Sequence, residues 1–190
     1  MNELELIQHL TRSLPKNKSV VAGAGDDCAV VDVGLADKFL LFKTDAVVEG
    51  IHFTTETPPE KIGHKALARC LSDIAAMGGE PGSAVVTIGL PAKFEATFVE
   101  KIYDGMGALA RQFNVAIVGG ETTTNPERIF ISVALIGFAA REKFVLRSGA
   151  KVGDALLEAR VLVLGRIAGR GGLERQFLHV GGQLDRKSVV

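Results

Sequence analysis

Tryptophan is absent from this 190-residue chain, tyrosine occurs once and cysteine only twice. Cys28 and Cys70 lie in apolar or helical contexts and make no metal-type spacing. That excludes a disulfide scaffold or a thiolate metal centre and fits a reduced compartment. Charge of one sign is lacking too: Lys+Arg and Asp+Glu are both 22, for a formal net charge of +0. Nothing in that balance points to nucleic acid or to an anionic membrane surface. No apolar run approaches the length of a transmembrane helix. The start, Met1-Asn2-Glu3-Leu4-Glu5, lacks the basic and apolar segments of a signal peptide. A cytoplasmic protein is expected. No repeat emerges at a solenoid period. What is present, 47% apolar and 23% charged residues, supports a normal core in one ordinary domain, or one plus a fragment of a second.

The carboxylates are unevenly placed. Asp26-Asp27 sits between a glycine and the apolar run Cys28-Ala29-Val30-Val31, and adjacent like charges beside a strand are tolerated best around a cation. A solvated turn explains that pair taken alone. Three further acidic motifs, Thr44-Asp45, Ser72-Asp73 and Gly119-Gly120-Glu121, follow at the ends of apolar elements, where side chains can converge.

Residues 2–12 form a short amphipathic helix closed by Leu14-Pro15. Residues 28–33 and 38–44 read as a β-hairpin or two neighbouring strands, the second delivering Asp45 to its end, and 47–53 is a loop carrying His52 between large apolar residues. Thr57-Pro58-Pro59-Glu60 starts a helix, with Thr57 as cap, that runs to about Met77 and stops at Gly78-Gly79. Asp73 falls near its C-terminus, the wrong end of the dipole for an anion, so a cation partner is expected. Residues 83–90 form a strand apolar enough for burial on both sides. Phe94, Phe98, Ile102, Met106, Leu109 and Phe113 make the core stripe of a helix over 94–113. A short strand at 115–118 runs into Gly119-Gly120-Glu121-Thr122, where paired glycines let a backbone approach a phosphate. A long strand over 128–138 and the basic loop Arg147-Ser148-Gly149-Ala150 follow. This order argues an α+β fold, a mixed or antiparallel sheet with helices on one face. Beyond Asp154 lie a possible strand at 161–164 and a Gly/Arg-rich tail without aromatic alternation, read as a poorly packed terminus.

Taken in order, these motifs resemble thiamine-monophosphate kinase, a family of the aminoimidazole ribonucleotide synthetase superfamily. The residues that carry the resemblance are Gly25-Asp26-Asp27-Cys28-Ala29-Val30, Thr44-Asp45 with Val48-Glu49-Gly50-Ile51-His52-Phe53, and Lys65-Ala66-Leu67-Ala68 leading to Leu71-Ser72-Asp73-Ile74-Ala75-Ala76-Met77-Gly78. Gly119-Gly120-Glu121-Thr122 and Arg147-Ser148-Gly149-Ala150-Lys151 with Gly153-Asp154 complete the series, over roughly residues 1–154. The resemblance implies ATP-dependent phosphorylation of thiamine monophosphate to thiamine diphosphate by direct in-line transfer, without a catalytic nucleophile, aided by several Mg²⁺ ions. It implies metal ligands at Asp27, Thr44, Asp45, Asp73 and Glu121, nucleotide contacts at Gly120, Glu121 and Arg147, and a substrate contact at His52. It also implies a homodimer with a barrel built across its interface. Residues 1–150 would be an ATP- and Mg²⁺-binding N-terminal domain and 151–190 the start of an incomplete or divergent second one.

Departures from the family pattern narrow the expectation. Position 121 is Glu where Asp is usual, and Cys70 stands where Asn is usual. Lys43 stands where Ser or Thr often precedes Thr44, putting a positive charge in place of a hydroxyl. The run after Asp154 does not follow the family. Two alternatives therefore stand beside the kinase: a non-catalytic nucleotide- and metal-binding dimerisation fragment, and another ATP-using member of the superfamily.

Overall fold

A computed structural model describes residues 2–149. The expected strand at 161–164, the Lys151, Gly153 and Asp154 motif and the tail lie outside the described residues. Helix α1 (Glu3–Thr11) is started by Asn2, whose side chain accepts the Glu5 amide while Glu5 reaches back to the Asn2 amide. Strands β1 (Val20–Ala22), β2 (Ala29–Val31) and β3 (Lys38–Val48) precede helix α2 (Pro59–Ala76) and strand β4 (Glu80–Leu90). Helix α3 (Ala96–Gln112), β5 (Ala116–Thr124), β6 (Phe130–Ala140) and a short 3₁₀ turn at Arg147–Gly149 complete the order.

The strands form one sheet in the order β1-β2-β3-β6-β4-β5, antiparallel throughout except for β4 and β5. That parallel pair is joined through α3, because a crossover rather than a hairpin must connect parallel neighbours. The backbone ladder between β3 and β6 is unbroken from Lys38↔Ala140 to Val48↔Phe130. It carries β3 past the expected stop at Thr44, since β6 satisfies its backbone groups to the end. Asp45 is therefore inside a strand rather than at its tip.

Helix α2 lies on β3, β6 and β4, while α3 packs on α2 and touches β5. The core is the helix-facing side of the sheet: Leu41, Val47, Ala84, Val86, Ile88, Ile131, Val133 and Leu135 meet Leu67, Leu71, Ile74, Ile102 and Met106, all buried. Glycines let the two helices touch. A Cβ on Gly63 would sit 1.8 Å from the Ile102 carbonyl oxygen, and one on Gly105 2.0 Å from that of Glu60. Among the described residues, nothing covers the opposite face of the sheet. Phe42 and Val85 point there and are 50% and 42% exposed, so the two-sided burial expected for residues 83–90 is not met within one chain.

Three local expectations are corrected. Thr57 does not cap α2: Pro58 holds that position without a side-chain bond, and the Thr57 hydroxyl accepts the Thr54 amide instead. Phe94 precedes α3 and is half-exposed, so the buried stripe begins with Phe98. Strand β5 runs through Gly119-Gly120 to Thr124, because β4 pairs with it up to Leu90↔Thr124.

Candidate functional site

The turn between β1 and β2, the middle of β3 and the last turn of α2 meet at one end of the buried face. The turn is pinned to the end of α2 by the Cys28 amide, which donates to Met77 Sδ at 3.0 Å. Asp27, Asp45 and Asp73 belong to these three elements. Burial raises the Asp73 pKa and the negative charges of Asp27 and Asp45 push the same way, against the opposing pull of Lys43. The three carboxylates thus share one electrostatic neighbourhood.

Each of them has a basic partner. Asp73 Oδ2 is 2.6 Å from Lys43 Nζ. Asp45 Oδ2 is 3.0 Å from Arg69 Nε, although this buried Nε makes no aligned hydrogen bond, and the other Asp45 oxygen accepts the Ala46 amide. Asp27 is paired with the Arg147 guanidinium. Asp26 serves the turn: it accepts the Asp27 amide at 3.1 Å and the Arg147 amide on both oxygens at 3.2 Å. For Lys43, burial pulls the ammonium down, but the hydrogen bond and charge of Asp73, with Asp45 behind it, outweigh that and raise its pKa. The Arg147 pKa is raised as well, chiefly by its hydrogen bond to Asp27.

Both cysteines lie among these acids. Burial first, then Asp73, Asp27 and Asp26, push the Cys28 thiol up to about 12, with Lys43 opposing. Burial, then Asp45 and Asp73, push Cys70 up to about 12 as well. Neither is a nucleophile at neutral pH.

His52 stands in the turn after β3. Its Nδ1 accepts the Val48 amide at 3.1 Å, which leaves Nε2 to carry the proton in the neutral ring. Burial lowers its pKa, and the positive charges of Arg69 and Lys65 lower it further. Lys65 donates to the His52 carbonyl at 2.7 Å. A donor imidazole beside two cations is chemically suited to an anionic group. Lys65 and Arg69 were missed in the sequence as parts of this site. Their signal is spacing: Lys65, Arg69 and Asp73 recur every four residues along one face of α2.

Two expected ligand positions lie elsewhere. Strand alternation turns Thr44 away from Lys43 and Asp45 onto the open face, where its hydroxyl is 3.3 Å from that of Ser132. Gly120 and Glu121 lie across the sheet. The register Asp45↔Val133, Val133↔Val86, Val86↔Gly120 places three strand spacings, about 14 Å, between β3 and β5. Glu121 is exposed on that edge strand. The glycine pair forms a bulge there: Ala84 faces Ile117 and Val85 faces Gly119, leaving Val118 as the extra residue. Gly120 has φ +151°, and a Cβ on it would sit 1.8 Å from the Val86 carbonyl oxygen. Among the described residues, no three His, Cys, Asp or Glu side chains form a ready metal-binding group.

Residues 25–139 match the family model of AIR synthase related protein, N-terminal domain. A thiamine-monophosphate kinase of Bacillus subtilis is 35% identical over 155 residues, 81% of this chain and 47% of the relative. One of Rhodopirellula baltica is 38% identical over 173 residues, covering 86% of this chain and 53% of the relative. The solved structure of AaThiL complexed with AMPPCP and TMP superposes with a TM-score of 0.68 at 36% identity, over 80% of this chain and 45% of that one. This chain spans about half the length of the curated relatives it matches.

Proposed function

This chain belongs to the AIR synthase related family through its N-terminal domain, and from that premise we propose that it serves ATP-dependent phosphorylation of thiamine monophosphate to thiamine diphosphate. The observation that carries the reading is that Asp27, Asp45 and Asp73, from three separate elements, share one electrostatic neighbourhood beside His52 and two helix-borne cations. Relatives named thiamine-monophosphate kinase, and a structural neighbour holding AMPPCP (an ATP analogue) and TMP, support the substrates.

Magnesium fits the donor chemistry. Asp27 and Asp45 offer hard carboxylate oxygens, and Mg²⁺ is commonly held by one or two carboxylates together with substrate phosphates. When bound, the ion supplies charge neutralisation and alignment of the phosphates. This chain's own residues do the rest. His52 donates its Nε2–H to the substrate phosphate, and Lys65 fixes the His52 backbone. Arg147 exchanges Asp27 for nucleotide phosphate, to which its fork is geometrically suited. On the β5 edge, the Gly120 backbone and Glu121 take the nucleotide and a separate metal position, consistent with their distance from β3. The open face bearing Phe42 and Val85 meets a second copy of the chain, as an apolar patch of this kind on a sheet favours.

The test is formation of ADP and thiamine diphosphate from ATP, Mg²⁺ and thiamine monophosphate. Turnover that falls in Asp27→Asn and Asp45→Asn supports the reading, and no turnover under any nucleotide overturns it. A second reading, a nucleotide- and metal-binding dimerisation module, is favoured by the ion pairs that already compensate every carboxylate of the cluster. Calorimetry separates the two: Mg²⁺-dependent ATP binding without phosphate transfer selects the module.

A further inference from the structure

We propose that the Lys43 ammonium is a permanent, protein-borne cation of this site, holding Asp73 where a divalent ion would otherwise bind, so that Asp73 is not a metal ligand in this chain. The inference rests on the reading of the acidic cluster as a metal-assisted phosphoryl-transfer site.

Asp73 lies in the last turn of α2, where the helix dipole adds to its negative charge and calls for a cation. Lys43 lies two residues from Asp45 on the same face of β3, so the unbroken ladder with β6 fixes where its side chain starts. Its Nζ reaches Asp73 Oδ2 at 2.6 Å, and the two side chains are only 21% and 23% exposed. A hydrogen bond this short between full charges is of the strong, charge-assisted kind. Mg²⁺ binds carboxylate oxygen at about 2.0–2.1 Å, so an ion on either Asp73 oxygen must displace the ammonium or bear its repulsion at close range. The displaced charge would then sit beside Asp45, next to the ion that evicted it. The other two basic partners differ. Arg147 is 39% exposed and comes from a 3₁₀ turn, and the Arg69 Nε is not aligned on its carboxylate. Those two can yield to phosphate or metal, and Lys43 is held.

The experiment is a Mn²⁺ titration of the whole chain followed by electron paramagnetic resonance, which reads free and bound ion without turnover. In the wild-type background, Asp73→Asn leaves the number of Mn²⁺ sites unchanged, while the uncovered Lys43 charge beside Asp45 weakens the binding that remains. In Lys43→Thr a new site appears, or an existing one tightens by roughly tenfold or more, and the gain is lost again in Lys43→Thr/Asp73→Asn. The melting temperature of Lys43→Thr rises with Mg²⁺ by more than that of the wild type. Loss of a Mn²⁺ site in Asp73→Asn alone overturns the proposal, and so does a folded Lys43→Thr that binds like the wild type. Should Lys43→Thr not fold, Asp73→Asn in the wild-type background still decides. None of these readouts requires ATP or thiamine phosphate, so failure of the kinase reading, seen as absent turnover, is distinguishable from failure of this one.

Discussion

The two acidic regions of the sheet contrast in how the protein treats charge. At the β1–β2 turn, β3 and the end of α2, Asp27, Asp45 and Asp73 each face a basic side chain and the surroundings are half-buried. On β5, Glu121 sits in an exposed run beside a glycine bulge, with no ion pair among the described residues. The first region is organised by the chain's own ions before any ligand arrives. The second has its backbone shaped and its charge left to the solvent. An internal ion pair lowers the cost of crowding acids together, and it also sets what a ligand must displace.

The widest expected separation is chemical. At about pH 8, Cys28 and Cys70 should react with a thiol reagent on the order of a thousandfold more slowly than an unperturbed cysteine, because a thiol with a pKa of about 12 offers so little thiolate. Labelling followed by mass spectrometry checks this, with full reactivity restored in guanidinium. Rapid labelling of the folded chain would mean that the acidic region is far wetter than its packing indicates.

Next in size is the loss of turnover. In the kinase assay, Asp45→Asn should cost roughly a hundredfold or more and Glu121→Gln roughly tenfold, as the proposed roles of a partly buried and an exposed metal ligand imply. Equal losses would erase the contrast between the regions.

Backbone substitutions probe the second region. Gly120→Ala should destabilise the fold by about 2–4 kcal/mol, since its Cβ meets the Val86 carbonyl at a strained φ. Gly119→Ala has open space around its Cβ and should cost only about 1–2 kcal/mol for its φ of +155°. Urea melts of the two variants measure the difference.

The smallest effect is a pH dependence. The His52 pKa is lowered from 6.5 in the folded chain, so the unfolded chain takes up its proton first as pH falls. The stability contribution is full above the unfolded value and declines as pH drops through it toward the folded pKa. His52→Gln should flatten the stability profile as pH falls through the ordinary histidine value of 6.5, leaving the contribution of the same sign from His64. A profile unchanged by the substitution would argue against burial as the cause.

Apart from β1, which rests on its pairing with β2, the order and type of the main elements were legible because they rest on periodicity and on glycine and proline stops, which are local. Strand lengths were not. Residues 45–48 read as the end of a strand and a loop, and 119–124 as a phosphate-type loop. Partners distant in sequence, β6 and β4, extend both as ladder. Phe94 fits the helical stripe by spacing yet falls before the first turn of α3. In the site, a cation for Asp73 was foreseeable from the helix dipole, and the partner turned out to be Lys43, noticed only as an unusual residue. Arg69 and Lys65 could have been read from their four-residue spacing to Asp73. That Thr44 points away from Asp45 was legible in strand alternation alone. The distance from Asp45 to Glu121 was not, because it depends on β6 and β4 standing between β3 and β5.

Strand β3 is a ribbon with two readers. Lys43 and Asp45 are read from the helix side, and Phe42 and Thr44 from the open side, one residue out of step. A slip of a single residue against β6 would hand each reader the other's text, exchanging charge for apolar surface on both faces at once. The unbroken pairing from Lys38↔Ala140 to Val48↔Phe130 is thus also a proofreading device. It ties the identity of the acidic site and the identity of the open face to one and the same alignment of two strands.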